Sequence, residues 1–160
     1  MADDTQAAAA PNPLAGHRAA YLRSGGAEGH LLEGEPLRDG RRFNPMLLLR
    51  TTGRTSGRPF VTPLMYGSYG GELIVVASYG GADVHPSWYR NLKAGGALAV
   101  QVATQAYTAG WREPAGAELD ALWAYMDALS PYYPHYRGMT ARHIPLVALL
   151  LREPIPVFAG

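Results

Sequence analysis

Five short apolar runs, parted by glycine-bearing turns, constrain the fold of this chain more than any other feature. Residues 46–51, 61–69 and 72–78 are rich in Leu, Val, Ile and Thr, and residues 98–102 and 107–112 continue the series. Runs of this length and composition are strands. Leu98, Val100 and Val102 alternate with smaller or polar neighbours, the pattern of a half-buried strand. The Gly70-Gly71 pair between the second and third runs signals a tight hairpin. Five strands in hairpin-like succession predict an antiparallel sheet.

One strongly periodic helix follows. Leu119, Leu122, Trp123, Met126 and Leu129 fall on a single stripe, with Asp120, Tyr125 and Asp127 off it. Pro114 suits the first turn of that helix and Pro131 ends it. Glu113 is expected near its start, where a carboxylate is favoured by the dipole, and Asp120 and Asp127 as solvated charges. Residues 145–152 form a last strand that is apolar on both faces, as for one covered on both sides. Upstream, residues 14–24 fit a short helix and residues 25–40 an irregular connection. Together these elements predict an α+β domain over residues 14–160 whose sheet closes into a small barrel, with one amphipathic helix after the main strands. Residues 1–13, acidic and alanine-rich, are expected to be a disordered tail.

Several chemistries drop out early. The five histidines include no i, i+4 pair and no His-Glu-x-x-His pattern, so no metal site is expected. Nucleophile-elbow and phosphate-loop motifs are also missing. Zero cysteine removes disulfide and thiolate chemistry and suits a reducing cytoplasm. A net charge of +1 argues against bulk nucleic-acid binding, and no apolar stretch is long enough for integral membrane association. The charge is unevenly spread. Between Gly40 and Gly71 stand five arginines (Arg41, Arg42, Arg50, Arg54 and Arg58) and no acid, so that segment carries +5 and the rest −4. Alone, such a run fits a solvated basic face.

Inside it lies TTGRTSGRPFVTPL, residues 51–64. Gly53 and Gly57 flank Arg-Thr-Ser, an arrangement in which backbone amides can turn inward while two hydroxyls and a guanidinium point the same way. That suits an anion such as phosphate. A glycine-rich hairpin with exposed arginines fits the same spacing.

Three separated segments, LLLRTTGRTSGRPFVTPLMY, VVASYGGADVHPSWYRNLKA and SPYYPHYRGMTARHIPLV, carry a more specific signal. In this order they resemble the deazaflavin-dependent nitroreductase family, actinobacterial reductases that use coenzyme F-420. The likeness spans roughly residues 46–154 and implies a split β-barrel of the flavin and deazaflavin oxidoreductase superfamily. By this resemblance Arg54, Thr55 and Ser56 contact the cofactor's phosphate and glutamate tail. Phe60, Val61, Thr62, Pro63, Leu64 and Met65 line its groove. Val76, Ala77, Ser78 and Tyr79, with Ser87, Trp88, Tyr89, Arg90 and Asn91, frame the ring. Tyr133 and Tyr136 close the substrate side as candidate proton or hydrogen-bond donors, and Ser78 orients the reacting group.

The chain departs from the family pattern at Thr55, Phe60 and Tyr79, where three cations are usual, and at Met65, where a tyrosine is frequent. Arg58 supplies one charge back. At about 0.5–1 kcal/mol per exposed contact, two lost cations cost about 1–2 kcal/mol of tail affinity. Phe60, Met65 and Tyr79 make the groove more apolar, which suits a hydrophobic ligand. The resemblance therefore implies an F-420-dependent reductase that transfers hydride to an enone, imine or nitro group of an apolar small molecule. Two alternatives stay open: use of flavin mononucleotide (FMN), and a cofactor-independent barrel that binds or transforms such a molecule. A homodimer is open as well, because an apolar strand can be buried within one chain or between two.

Overall fold

A computed structural model describes residues 14–34 and 43–160. The tail expected over residues 1–13 lies outside the described residues, as do Arg41 and Arg42. In chain order the elements are α1 (Ala15–Arg23), β1 (Leu31–Glu33), β2 (Phe43–Thr52), β3 (Pro59–Met65), β4 (Gly67–Tyr69), β5 (Glu72–Val76), α2 (Ser87–Ala94), β6 (Ala99–Val102), β7 (Gln105–Arg112), α3 (Gly116–Leu129), α4 (Tyr132–Gly138) and β8 (Leu146–Ile155). Every strand pairing is antiparallel, in the order β1-β2-β6-β7-β8-β5-β4, with β3 paired to β2. Twist accumulated along this order curls the sheet into a barrel. Closure is that of the split barrel implied by the family resemblance rather than of a fully closed one. The curl brings β3 against β5, but no hydrogen-bonded ladder joins them among the described residues, so the barrel is split along that seam. Pro59 and Pro63, which cannot donate to a ladder, sit on this edge strand.

Strand alternation sends successive side chains to opposite faces, and both faces are covered. Leu47 and Leu49 of β2, Val75 of β5, Val100 of β6 and Val147 and Leu149 of β8 point into the barrel, where Trp88, Tyr89 and Leu92 of α2 plug it. Met46 and Leu48 face outward beneath Tyr21 of α1 and Phe158 of the C-terminal segment. On the far side Ile74, Val76, Leu146 and Ala148 meet Leu122 and Met126 of α3 and Tyr133 of α4. The helical stripe expected at Leu119, Leu122, Trp123, Met126 and Leu129 is the one that packs.

Several local expectations shift. The run 61–69 is two strands, broken at Tyr66, whose amide donates to Pro45 O (3.3 Å). Gly67 then lies so close to α3 that a Cβ there would meet Leu129 Cδ1 and Met126 Sδ at 2.8 Å. β6 is buried on both faces from Ala99 to Gln101 rather than half buried, because α1 and the C-terminal segment cover its outer face. Gln101 is accommodated there by donating to Ala103 O (3.0 Å) and accepting from Phe158 N (2.8 Å). β8 is apolar on both faces only through Leu149; Leu150 is 48% exposed. α3 begins at Gly116, beyond Pro114, and a second helix, α4, follows it. Glu113 serves no helix start: it accepts from Tyr89 Oη (2.5 Å) and Lys93 Nζ (3.2 Å). Asp127 is paired to Arg137 through two bonds of 2.7 Å. β1 forms within the stretch expected to be irregular.

Candidate functional site

The basic loop connects β2 to β3 across the pair Thr52↔Pro59. Its own backbone closes it: Gly53 N donates to Arg58 O (2.8 Å) and Gly57 N to Gly53 O (2.9 Å), with Gly57 at φ 72°. Arg58 N donates to Ser56 Oγ (3.2 Å). Those amides are spent inside the loop. Arg54 is placed from outside the loop. Asn91 of α2 accepts from both Arg54 N (3.1 Å) and Arg54 Nη1 (2.7 Å), and its own amide reaches Thr51 Oγ1 at 3.5 Å. Asn91 is buried, so these bonds form away from competing water. A neutral amide orients the guanidinium without neutralising it.

The basic segment is otherwise divided. Arg50 lies over the Phe158 ring, 4.3 Å from its centroid, so it does not extend the loop's field.

A second assembly surrounds the turn after β5. Ser78 is right-handed, Tyr79 has φ 47° and Gly80 and Gly81 have φ 61° and 83°, which reverses the chain within one 3₁₀ turn. Gly81 abuts α4: a Cβ there would meet Tyr136 O and Met139 at 3.0 Å. Arg142, just past α4, gathers the turn's carbonyls. Its Nη2 donates to Ser78 O (2.8 Å) and Ala77 O (3.2 Å), its Nε to Ala82 O (2.7 Å) and its Nη1 to His85 Nδ1 (3.0 Å). Thr140 Oγ1 adds a bond to Asp83 Oδ1 (2.7 Å). Burial lowers the pKa of Arg142 from its usual value. His85, whose ring lies 4.8 Å from that of Tyr89 at a tilt of 52°, is also lowered, first by burial and then by the Arg142 charge. It is therefore neutral at pH 7, and its Nδ1 is free to accept.

Tyr133 and Tyr136 stand one turn apart on α4. Burial raises both phenols above their ordinary pKa of 10, so each is a neutral donor at pH 7. Tyr136 stacks on Tyr132 at 6.2 Å. Tyr133 borders an open cleft of about 180 Å³ with Met65, Tyr66, Tyr125 and Asn44. Among the other residues named by resemblance, Phe60, Val61, Thr62, Pro63, Leu64 and Met65 form β3 along the seam, and Thr55 and Ser56 are exposed in the loop. Val76 faces α3 and α4, whereas Ala77 faces the barrel. Ser87 and Arg90 lie on α2 beside Trp88 and Tyr89, which are only 3% and 6% exposed within the barrel core. Those two rings fix α2, and through it Asn91. Sequence reasoning missed Arg142, His85, Asn44 and Tyr66. Among the described residues, no group of three acidic, histidine or cysteine side chains is placed to hold a metal.

A split antiparallel barrel with a positioned cation in one loop and a phenol-lined cleft beside the seam defines a flavin- or deazaflavin-type split-barrel oxidoreductase. Comparison narrows the class: the sequence model of the F420H(2)-dependent quinone reductase family matches residues 15–150, and the chain belongs to that family. An F420H(2)-dependent quinone reductase of Mycobacterium tuberculosis strain H37Rv is 34% identical over 139 residues, covering 85% of this chain and 88% of the relative. The solved structure of an F420-H2 dependent reductase, FDR-A, matches with a TM-score of 0.60 at 36% identity over 66% of this chain and 93% of its own. A structure described as a domain-swapped dimer matches with a TM-score of 0.61 at 30% identity, covering 86% and 99%.

Proposed function

We propose that this chain is a coenzyme F-420-dependent reductase that passes hydride to an activated double bond of an apolar small molecule. The observation that carries the reading is the seat of Arg54: the buried carboxamide of Asn91 accepts from both its backbone amide and its guanidinium and so orients it at the loop. The residues present fit the cofactor's anionic tail, which Arg54, Thr55, Ser56 and the exposed Arg58 would hold through charge-assisted and hydroxyl contacts. Phe60 and Tyr79, in place of cations, offer aromatic surface instead. Bound in its reduced form, F-420 supplies the hydride. The chain's own task is positioning and polarisation. Neutral Tyr133 and Tyr136 donate hydrogen bonds to an oxygen that gains charge, and Arg142 holds the Ser78 turn against their helix.

The names of the relatives support a conjugated ring carbonyl as the acceptor class. A homodimer belongs to the same reading, supported by the dimeric relative. The zero cysteine count suits the reducing cytoplasm in which we place the enzyme.

Titration of the purified protein with F-420, its reduced form and FMN, followed by fluorescence, tests this directly. Saturable F-420 binding is expected. No binding up to about 100 µM would sink the reading, and preference for FMN would move the protein to the flavin-using alternative. Tyr136→Phe is expected to slow turnover by about tenfold or more while leaving F-420 affinity unchanged. Unchanged turnover would remove Tyr136 from the chemistry.

A further inference from the structure

The cleft beside Tyr133 contains a polar side chain, Asn44, that the roles above leave unused. It opens between the start of β2, the break joining β3 to β4, and the facing sides of α3 and α4. Pro45, Met65 and Leu129 give it apolar walls. Two of its polar side chains are engaged: Tyr66 Oη lies 2.9 Å from His30 Nε2, and Tyr125 Oη donates to Ser68 O (2.7 Å). Two are not. The Asn44 carboxamide, 7% exposed, and the Tyr133 hydroxyl, 4% exposed, make no hydrogen bond to a described residue. Neither group is both fully buried and unpaired, a state His17 Nδ1 has among the described residues, so each stays accessible in the cleft to water or to a ligand.

We infer that this cleft seats the ring of the electron acceptor and that Asn44 determines its specificity by reading the ring oxygen. The inference rests on the reductase reading. Asn44 and Tyr133 both offer donors to a carbonyl oxygen, and Asn44 alone also offers an acceptor. A carboxamide can therefore serve both redox states of one ligand: Nδ2–H donates to the oxidised carbonyl, and Oδ1 accepts from the hydroxyl of the reduced ring. A hydrocarbon ring would leave both groups unpaired, so the site discriminates by oxygen rather than by apolar area. About 180 Å³ of open cleft suits a compact ring system with any tail directed outward.

The test uses the whole chain without cofactor, and 1,4-naphthoquinone, its hydroquinone under anaerobic conditions and naphthalene as probes. With no cysteine, the chain forms no thiol adduct with the quinone. The wild type is expected to bind the quinone more tightly than naphthalene, with the Asn44 side-chain amide resonances shifting in step with saturation. Asn44→Leu is expected to lose about tenfold in quinone affinity, leave naphthalene unaffected, and keep thermal stability, because the carboxamide makes no hydrogen bond to a described residue. Asn44→Asp retains an acceptor and loses the donor, so it is expected to keep the hydroquinone better than the quinone. Equal quinone affinity in Asn44→Leu and wild type would overturn the inference. So would a drop in stability in Asn44→Leu, which would mark Asn44 as structural. F-420 titration of the same variant distinguishes the two readings: affinity for F-420 is expected to be unchanged. Naphthoquinone binding in a wild type that ignores F-420 would defeat the reductase reading and leave the site standing.

Discussion

Arg54 and Arg142 carry the same side chain and stand at opposite ends of the candidate site, yet their surroundings give them different work. Arg54 is held on one side by the neutral oxygen of Asn91. Arg142 is ringed by backbone carbonyls of residues 77, 78 and 82 and by a histidine nitrogen, so its donors are spent on the protein. The first arrangement ties a guanidinium to a neutral carboxamide at the β2–β3 loop. The second makes it a clamp that sets one wall of the site against the other. Residue type therefore does not distinguish an arginine anchored by a side-chain amide from one that clamps backbone; the nature of its acceptors does.

Removing the clamp should have the largest effect. Arg142→Ala leaves several partly buried carbonyls without donors, and a loss of about 2–4 kcal/mol in urea denaturation is expected. Arg142→Lys should recover only part of it, because an ammonium cannot match the planar fork. Full recovery by lysine would show that charge alone, not geometry, holds the turn.

Arg54→Ala should do the reverse. F-420 affinity is expected to fall about five- to tenfold, near 1 kcal/mol, while the denaturation midpoint stays within about 0.5 kcal/mol of wild type. Asn91→Ala should lower F-420 affinity only when Arg54 is present, which a double-mutant cycle measures. Additive losses would mean that Asn91 acts on the ligand by itself.

The smallest effect concerns pH. His85 is lowered by burial first, then by Arg142, with His143 and Arg90 acting in the same direction and Glu113 opposing. Between that lowered value and the unfolded value of 6.5 the unfolded chain binds the extra proton. The stabilising contribution is therefore complete above about pH 6.5 and is lost as pH falls toward the folded value. His85→Gln keeps an acceptor for Arg142 without titrating. Its stability should decline less than that of wild type between pH 7 and 5, and identical slopes would remove His85 from the clamp's pH response.

Much of the fold was legible in local pattern. The β5 run, the α3 stripe and the Gly70-Gly71 turn, whose φ values are 60° and 82°, all express chemistry contained within a few neighbouring residues. α4 was not legible, because PYYPHYRG holds two prolines and a glycine and shows no apolar stripe over its single short stretch. The burial of Gln101 and the unpaired state of Asn44 were equally hidden. Each is a polar residue in or beside an apolar run, and its meaning depends on what covers it.

By itself, the sequence determined the strand-and-turn order, the single long amphipathic helix, the basic glycine-flanked loop and, through its motifs, the family. Tertiary structure alone decided that the barrel stays split at β3, that Asn91 serves Arg54, and that Arg142 binds backbone 60–65 residues away. The reason is physical. Periodicity and turn chemistry are local and written in side-chain types, whereas a carbonyl presented to a distant guanidinium is common to every residue and acquires a role only when the chain folds around it.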